Sequence, residues 1–265
     1  MSKFEKYEIK EFPLSRLATM DIGVAAFAKH HIRVILELDV TEARNRIALL
    51  KEQGADISFN AWLIKCISQA VSEYKPIHGL RKGKRKVLLF DDVDISIMIE
   101  RELEGVKVPL PCLIRGTNNK SIGEIAAEIN SAKSQVIESE RNFVLGDAKN
   151  KILMKIYYAL PGIVRCYVWK QMIKRPFFFK KNMGTIMVTS VGMIGEVPGW
   201  IIPVSVHPLC FAIGSIVKKP WVVDDEIKIR DILYLTALVD HDVIDGAPAV
   251  RAFTHLKDLI ESGLE

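Results

Sequence analysis

The stretch Leu233–Gly246, LYLTALVDHDVIDG, carries the pattern that decides the fold. Its first seven residues are mostly apolar, which is typical of a strand that is buried on both faces. Residues Asp240 to Gly246 then bring polar side chains and a glycine to the end of that strand. Residues 249–260 follow with apolar side chains at helical spacing. We therefore predict a buried strand, a polar turn and a helix, in that order.

The polar turn holds the best candidate for a general base. His241 stands at the predicted strand end, where an imidazole can titrate near neutral pH. Asp245 lies four residues further on and can orient the loop, and Gly246 allows a sharp change of backbone direction. An isolated histidine more often has a structural role, so the surrounding motif decides this interpretation.

The rest of the chain alternates between helical and strand patterns. Residues 32–40 read as a strand whose even-numbered apolar residues share one face. Thr41, Ser58 and Ser121 are predicted helix N-caps, Ser121 within a capping box. Later strands are predicted at 185–190, 211–217, 226–229 and 233–239. This order favours an α+β two-layer sandwich, a mixed β-sheet with helices on one side, rather than parallel βαβ winding.

A second informative segment is Gly184–Gly195 (GTIMVTSVGMIG), which is considered together with the polar turn. Together they resemble the acyltransferase (E2) catalytic domain of 2-oxo acid dehydrogenase complexes, in the chloramphenicol acetyltransferase-like superfamily. Asp240, His241, Asp245 and Gly246 match the family's Asp-His-Arg-x-x-Asp-Gly, whereas Asp242 replaces its arginine. The similarity runs from about Phe12 to the C-terminus.

The resemblance implies a chloramphenicol acetyltransferase-like fold and a homotrimer with active sites between subunits. One subunit would supply His241 as general base, and its neighbour would supply Thr189 as hydrogen-bond donor to the oxyanion. Asp245 would pair with Arg16 and fix the histidine loop. Ser190 is a reserve candidate because it points to the opposite face of a strand from Thr189, and Asp242 is a second reserve.

The resemblance also implies the substrates: an acyl group moves between coenzyme A and a thiol acceptor of the dihydrolipoyl type. The sequence shows no lipoyl domain, no E3-binding segment and no Ala/Pro-rich linker, so a lipoyl-carrying protein would act in trans. Two alternatives stay open. One is O-acetylation of a small hydroxylated compound, and the other is a trimeric scaffold that has lost turnover.

Composition narrows the class of protein. The chain has 265 residues, of which 49% are hydrophobic and 26% are charged, and its net charge is +5. It shows no repeat or linker, which favours a single catalytic domain over 1–265. Its four cysteines are scattered, so neither a metal site nor a disulfide framework is expected. The sequence also lacks a signal peptide and a transmembrane segment, and these features together favour a cytoplasmic protein.

Two segments are not explained by the resemblance. The basic run Arg81–Lys86 is interpreted as a solvated hairpin or loop. It could suit a phosphate-rich cofactor such as coenzyme A, whereas nucleic acid is not expected because no aromatic platform accompanies it. The apolar, aromatic segment Ile152–Lys181 favours packing in the core or at a subunit interface. A helix lying in a membrane surface is the alternative.

Overall fold

A six-stranded mixed sheet forms the centre of the part of the chain that the structure, a computed structural model, describes. That part comprises residues 7–9, 14–103, 106–134, 156–190 and 197–263, with the side chains of 14–15 and 101–108 left aside. The helices are α1 (Leu14–Ala26), α2 (Thr41–Glu52), α3 (Phe59–Glu73), α4 (Ile122–Ser134), α5 (Gly162–Ile173), α6 (Pro176–Met183) and α7 (Gly246–Glu261). The strands are β1 (His31–Asp39), β2 (Leu80–Lys82), β3 (Lys86–Leu88), β4 (Ile95–Leu103), β5 (Val106–Ile114), β6 (Ile186–Ser190), β7 (Leu209–Val223) and β8 (Glu226–Asp240).

The strand order in the large sheet is β1-β8-β7-β6-β4-β5, and β2 and β3 form a separate hairpin. Strand β6 runs parallel to β4 and β7, and the other neighbours are antiparallel. The two strands predicted at 226–229 and 233–239 are in fact one strand, β8. Asp224 and Asp225 both adopt positive φ angles, which the two-residue turn of a twisted hairpin requires. From this turn β7 and β8 pair to their far ends, with one register shift between Ile213 and Ile216.

The sheet buries one face under α2, α3, α4 and α7, which confirms the predicted α+β sandwich. Strands contribute alternate residues to this core, for example Leu235, Ala237 and Val239 from β8. The α3 helix supplies its whole inward side, including Trp62 and Ile67. The opposite face of the sheet carries Tyr234, Thr236 and Leu238, and the indole of Trp200 packs edge-on against Tyr234.

Two of the three predicted helix caps are confirmed. The Ser58 hydroxyl accepts a hydrogen bond from the Ala61 N–H, and Ser121 and Glu124 form a reciprocal capping box. The prediction for Thr41 is wrong, because Thr41 is already inside α2. Its hydroxyl donates to Asp39 Oδ1 and accepts from the Asp231 N–H, so it ties β1 to β8 instead.

A second apolar cluster joins α1, α5 and α6 outside the main core. Trp169 and Phe179 are buried in it, and the Trp169 indole N–H donates to the Tyr157 hydroxyl. Tyr157 and Arg165 both donate to the buried carboxylate of Asp21 in α1. Part of the segment predicted as apolar packing therefore packs within the protomer, whereas Ile163, Tyr167 and Phe177 are exposed. Residues 152–155 lie outside the described residues.

Among the described residues, no helix is both long enough and apolar enough to cross a membrane.

The burial of two histidines makes the stability of the fold depend on pH. Burial lowers the pKa of both His78 and His207 to about 4. The unfolded chain binds a proton at each histidine near pH 6.5, whereas the folded chain does not, so stability falls as the pH drops from about 6.5 towards 4. We expect urea unfolding to show a loss of about 2 kcal/mol per histidine between pH 7 and pH 5. In His207→Asn the loss of unfolding free energy between pH 7 and pH 5 should be about half as large. An unchanged loss would contradict the low pKa of His207.

Candidate active site

His241 lies in the turn between β8 and α7, with its side chain about half exposed. Its backbone N–H donates to the carbonyl of His30, 2.9 Å away, which ties the turn to the residue just before β1. The Val243 and Ile244 N–H groups both bond to the Asp240 carbonyl and close the turn. The main chain at His241 is therefore fixed, while its imidazole remains open to a partner.

The residue before the histidine forms the most deeply buried ion pair near the site. Asp240 is fully buried, and Lys29 Nζ lies 2.5 Å from its Oδ2. The other carboxylate oxygen accepts from the Asp242 N–H, and the Asp240 N–H donates to Pro208 O. One buried carboxylate thus links the end of β8 to the α1–β1 connection and to the turn itself.

The Asp242 carboxylate contacts a histidine and an arginine from two other segments. Its Oδ1 lies 3.0 Å from His30 Nδ1, and its Oδ2 lies 3.3 Å from Arg81 Nη1. The hydrogen bond from His30, assisted by Arg81 and Lys29, lowers the pKa of the Asp242 carboxyl. A carboxylate at this position is therefore matched by an arginine and by a hydrogen-bonding histidine, each from another segment.

Asp245 and Arg16 are not brought together in this protomer. Asp245 precedes α7, its side chain is 89% exposed, and its Oδ1 lies 3.9 Å from His241 Nδ1. Arg16 is exposed on α1, and the structure records no ion pair between its guanidinium and Asp245. The carboxylate that anchors α1 is Asp21, one turn further along, and it pairs with Arg165.

Thr189 and Ser190 close strand β6 and point to opposite faces of the sheet. Ser190 shares its face with Ile186 and Val188, which lie in the main core, and its buried Oγ has no hydrogen-bond partner among the described residues. Thr189 is partly buried on the other face, in register with Ala212 and, across β7, with Thr236. The threonine, not the serine, therefore faces away from the helices.

The two principal candidates are far apart within one protomer. Thr189 is two strands away from Thr236, and His241 follows Thr236 by five residues, just past the end of β8. Standard strand spacings then place their Cα atoms roughly 15–20 Å apart. The imidazole and the threonine hydroxyl do not form one site within a single subunit.

Three residues that hold the turn do not belong to the sequence motif: Lys29, His30 and Arg81. Each is distant in sequence from the motif, and only the register of β1 with β8 and the packing of β2 bring them there. A histidine pair before a predicted strand was the one available signal. Within the described ranges, no group of three or more His, Cys, Asp or Glu side chains is placed to hold a metal ion.

The sequence model of the 2-oxoacid dehydrogenases acyltransferase (catalytic domain) matches residues 20–142 and 181–265. The intervening residues, which include α5 and most of α6, fall outside the match.

Individual proteins similar to this chain are acyltransferase components of dehydrogenase complexes. The lipoamide acyltransferase component of a branched-chain alpha-keto acid dehydrogenase complex from Bacillus subtilis is 25% identical over 98% of this chain and 57% of its own length. The dihydrolipoyllysine-residue acetyltransferase component of a pyruvate dehydrogenase complex from Acholeplasma laidlawii is 30% identical over 80% of this chain and 32% of its own length. The chain therefore spans about half or less of these relatives.

Solved structures agree on the fold. A probable dihydrolipoamide acetyltransferase from Listeria monocytogenes superposes with a TM-score of 0.68 at 23% identity, over 98% of this chain and 96% of the other. A chloramphenicol acetyltransferase gives a TM-score of 0.50 at 13% identity, over 98% of both chains. These likenesses support the chloramphenicol acetyltransferase-like fold predicted from the sequence.

The Asp240–Lys29 pair should be important for stability. Lys29→Met leaves a buried carboxylate without its cation, so we expect urea unfolding to show a loss of about 3–5 kcal/mol. Lys257→Met removes an exposed pair with Glu261 and is the matched control, with an expected loss of about 1 kcal/mol or less. Equal losses in the two variants would contradict the role assigned to Asp240.

Proposed function

Because the chain belongs to the family of 2-oxoacid dehydrogenase acyltransferase catalytic domains, we propose that it transfers an acyl group between coenzyme A and a thiol. The acceptor is of the dihydrolipoyl type, carried by another protein. The observation that supports this most directly is the fixed turn at the end of β8. It presents a half-exposed imidazole from a backbone held by His30 and Asp240.

In this proposal His241 is the general base. Its neutral imidazole takes the proton from the acceptor thiol, and the thiolate attacks the carbonyl carbon of the acyl-coenzyme A thioester. The carbon–sulfur bond to coenzyme A then breaks, and the leaving thiolate recovers the proton from the imidazolium. Asp245 is assigned a positioning role in the turn; its Oδ1 lies 3.9 Å from His241 Nδ1, beyond hydrogen-bond distance. Asp242 is assigned a positioning role through His30 and Arg81.

Thr189 donates a hydrogen bond to the oxyanion of the tetrahedral intermediate in this scheme. A single donor of this kind typically contributes about 3 kcal/mol to lowering the barrier. Its separation from His241 within one protomer means that the donor must come from a neighbouring subunit, which is the homotrimeric arrangement predicted from the sequence. Ser190 is not assigned this role because its side chain lies on the core face.

An apolar face on the outer part of the β7–β8 hairpin supports association between subunits. Val222, Ile227 and Ile229 are each more than two-thirds exposed there. Val222 is paired with Ile227, so they share one face of the hairpin with Ile229. Contiguous apolar surface of this kind is typical of protein interfaces. In this proposal the whole chain acts as one catalytic domain, and its lipoyl-type partner is a separate protein.

Substituting the two proposed active-site residues should separate their roles. Acyl transfer from acetyl-coenzyme A to dihydrolipoamide should fall by at least about a hundredfold in kcat for His241→Ala, because the thiol loses its base. Thr189→Ala should lose about a hundredfold in kcat with little change in KM, because the oxyanion forms only in the transition state. Ser190→Ala is the control and should keep most activity; a rate that survives His241→Ala would exclude the proposed base.

Mixing the two inactive variants tests whether the site is shared between subunits. After joint refolding of His241→Ala and Thr189→Ala, each site combines residues from two protomers, so roughly a quarter of the sites regain both groups. We expect about that fraction of wild-type activity, measured with the same substrates. If the refolded mixture shows only the sum of the two residual activities, both residues act within one subunit.

A further inference from the structure

Two segments of high positive charge lie side by side next to the proposed active site. The hairpin segment 79–90 carries five Lys and Arg side chains, and the segment 156–183 carries six. Neither contains a carboxylate, although the whole chain has a net charge of only +5. The remainder of the chain is therefore net acidic, and the positive charge is concentrated in these two segments.

The two segments are held together by packing. Helix α6 contacts β2, and Lys82 Nζ lies 5.4 Å from the centre of the Phe177 ring. Phe177 in turn meets Phe90, at the base of the hairpin, edge-to-face at 6.4 Å. Residues 143–180 lie outside the family match, so most of α6 is an addition to the common domain.

Internal ion pairs account for only part of this charge. Arg81 is paired with Asp242, and Lys180 is paired with the buried carboxylate of Asp94. Arg165 is paired with the buried carboxylate of Asp21. The remaining cationic side chains of the two segments are exposed, and the structure records no ion pair between them and any described carboxylate. We name six of them the basic surface: Lys82, Lys84, Arg85 and Lys86 of the hairpin, with Arg175 and Lys181 at the two ends of α6.

The basic surface is connected to the turn that holds His241. Arg81 bonds Asp242, the residue that follows the histidine. A Cβ on Gly79 would lie only 3.1 Å from a Val243 methyl group, so the base of the hairpin packs closely on the turn. Strand pairing ends at Lys82 and Lys86, so Lys84 and Arg85 form the tip, about 10 Å from Arg81 by strand geometry.

We propose that the basic surface docks an acidic carrier protein whose flexible arm brings the thiol or acyl group to His241, an inference that rests on the proposed function. The hairpin tip is a turn whose cations are exposed, which suits the acidic face of a macromolecule. Small-molecule sites, in contrast, are concave and largely apolar. Exposed charges of one sign also accelerate encounters with a partner of the opposite sign.

The charge reversal Lys84→Glu/Arg85→Glu tests the docking surface, because both residues lie in the turn outside the β2–β3 ladder. The probe is a purified, reduced lipoyl domain of net negative charge, compared with free dihydrolipoamide. At low salt we expect the KM for the domain to rise by about tenfold or more. The KM values for dihydrolipoamide and acetyl-coenzyme A should stay within about twofold of wild type, and added NaCl should narrow the difference for the domain.

The matched control is Arg46→Glu/Lys51→Glu, which makes the same change of net charge on exposed positions of α2. A comparable rise of KM for the domain in this control would overturn the proposal, because any loss of positive charge would then suffice. So would a selective rise of the KM for acetyl-coenzyme A, which would assign the hairpin to the phosphates of that substrate. An unchanged KM for the domain in the hairpin variant would overturn it as well.

Direct binding separates this inference from the proposed function. Titration of a fluorescently labelled lipoyl domain measures docking without turnover. In the hairpin variant the Kd for the domain should rise by about tenfold. If the wild-type protein binds the domain in this way but transfers no acyl group to dihydrolipoamide, the proposed function fails and the docking surface stands. If acyl transfer to dihydrolipoamide proceeds but the hairpin variant binds the domain as tightly as wild type, only the docking surface is wrong.

Discussion

The buried ion pair between Asp240 and Lys29 is the interaction on which the geometry of the candidate site depends. A carboxylate with no exposed surface requires a cation, and Lys29 Nζ meets it at 2.5 Å. The pair joins the last residue of β8 to the connection between α1 and β1. His241 follows immediately, so its backbone continues directly from a carboxylate that is fully buried and paired with a largely buried lysine. Neutralising either partner would release the turn and the first turn of α7 together.

Strand alternation explains why one subunit contains two incomplete halves of the proposed site. Because successive side chains point to opposite faces, the core requirement for Ile186 and Val188 also places Ser190 inward and Thr189 outward. The same register puts Thr189 level with Thr236, well before the end of β8. In the proposed mechanism, a base at the strand end and a hydroxyl in mid-sheet meet only if a second copy brings its own sheet against the turn. The proposed mechanism therefore requires assembly.

The sequence predicted local features well and long-range pairings poorly. Alternation along β1 and the capping box at Ser121 depend on neighbouring residues, and both are confirmed. The partners of Asp240 and Asp242 lie more than 150 residues away, and no local pattern indicates them. The split of β8 into two predicted strands has a similar cause. Charged residues between its apolar runs suggested a break, whereas pairing with β7 carries the strand through them.

The carboxylate at position 242 is better understood as part of a charge arrangement than as a defect in a motif. His30 and Arg81 supply two cationic or hydrogen-bonding partners, and the bond from His30 lowers the pKa of Asp242. An arginine at this position would face Arg81 and would push the hairpin away from the turn. The substitution therefore allows a basic hairpin to pack beside His241, where a cation at 242 would repel it. The carboxylate at position 242 and the positive charge of the neighbouring hairpin are therefore electrostatically complementary.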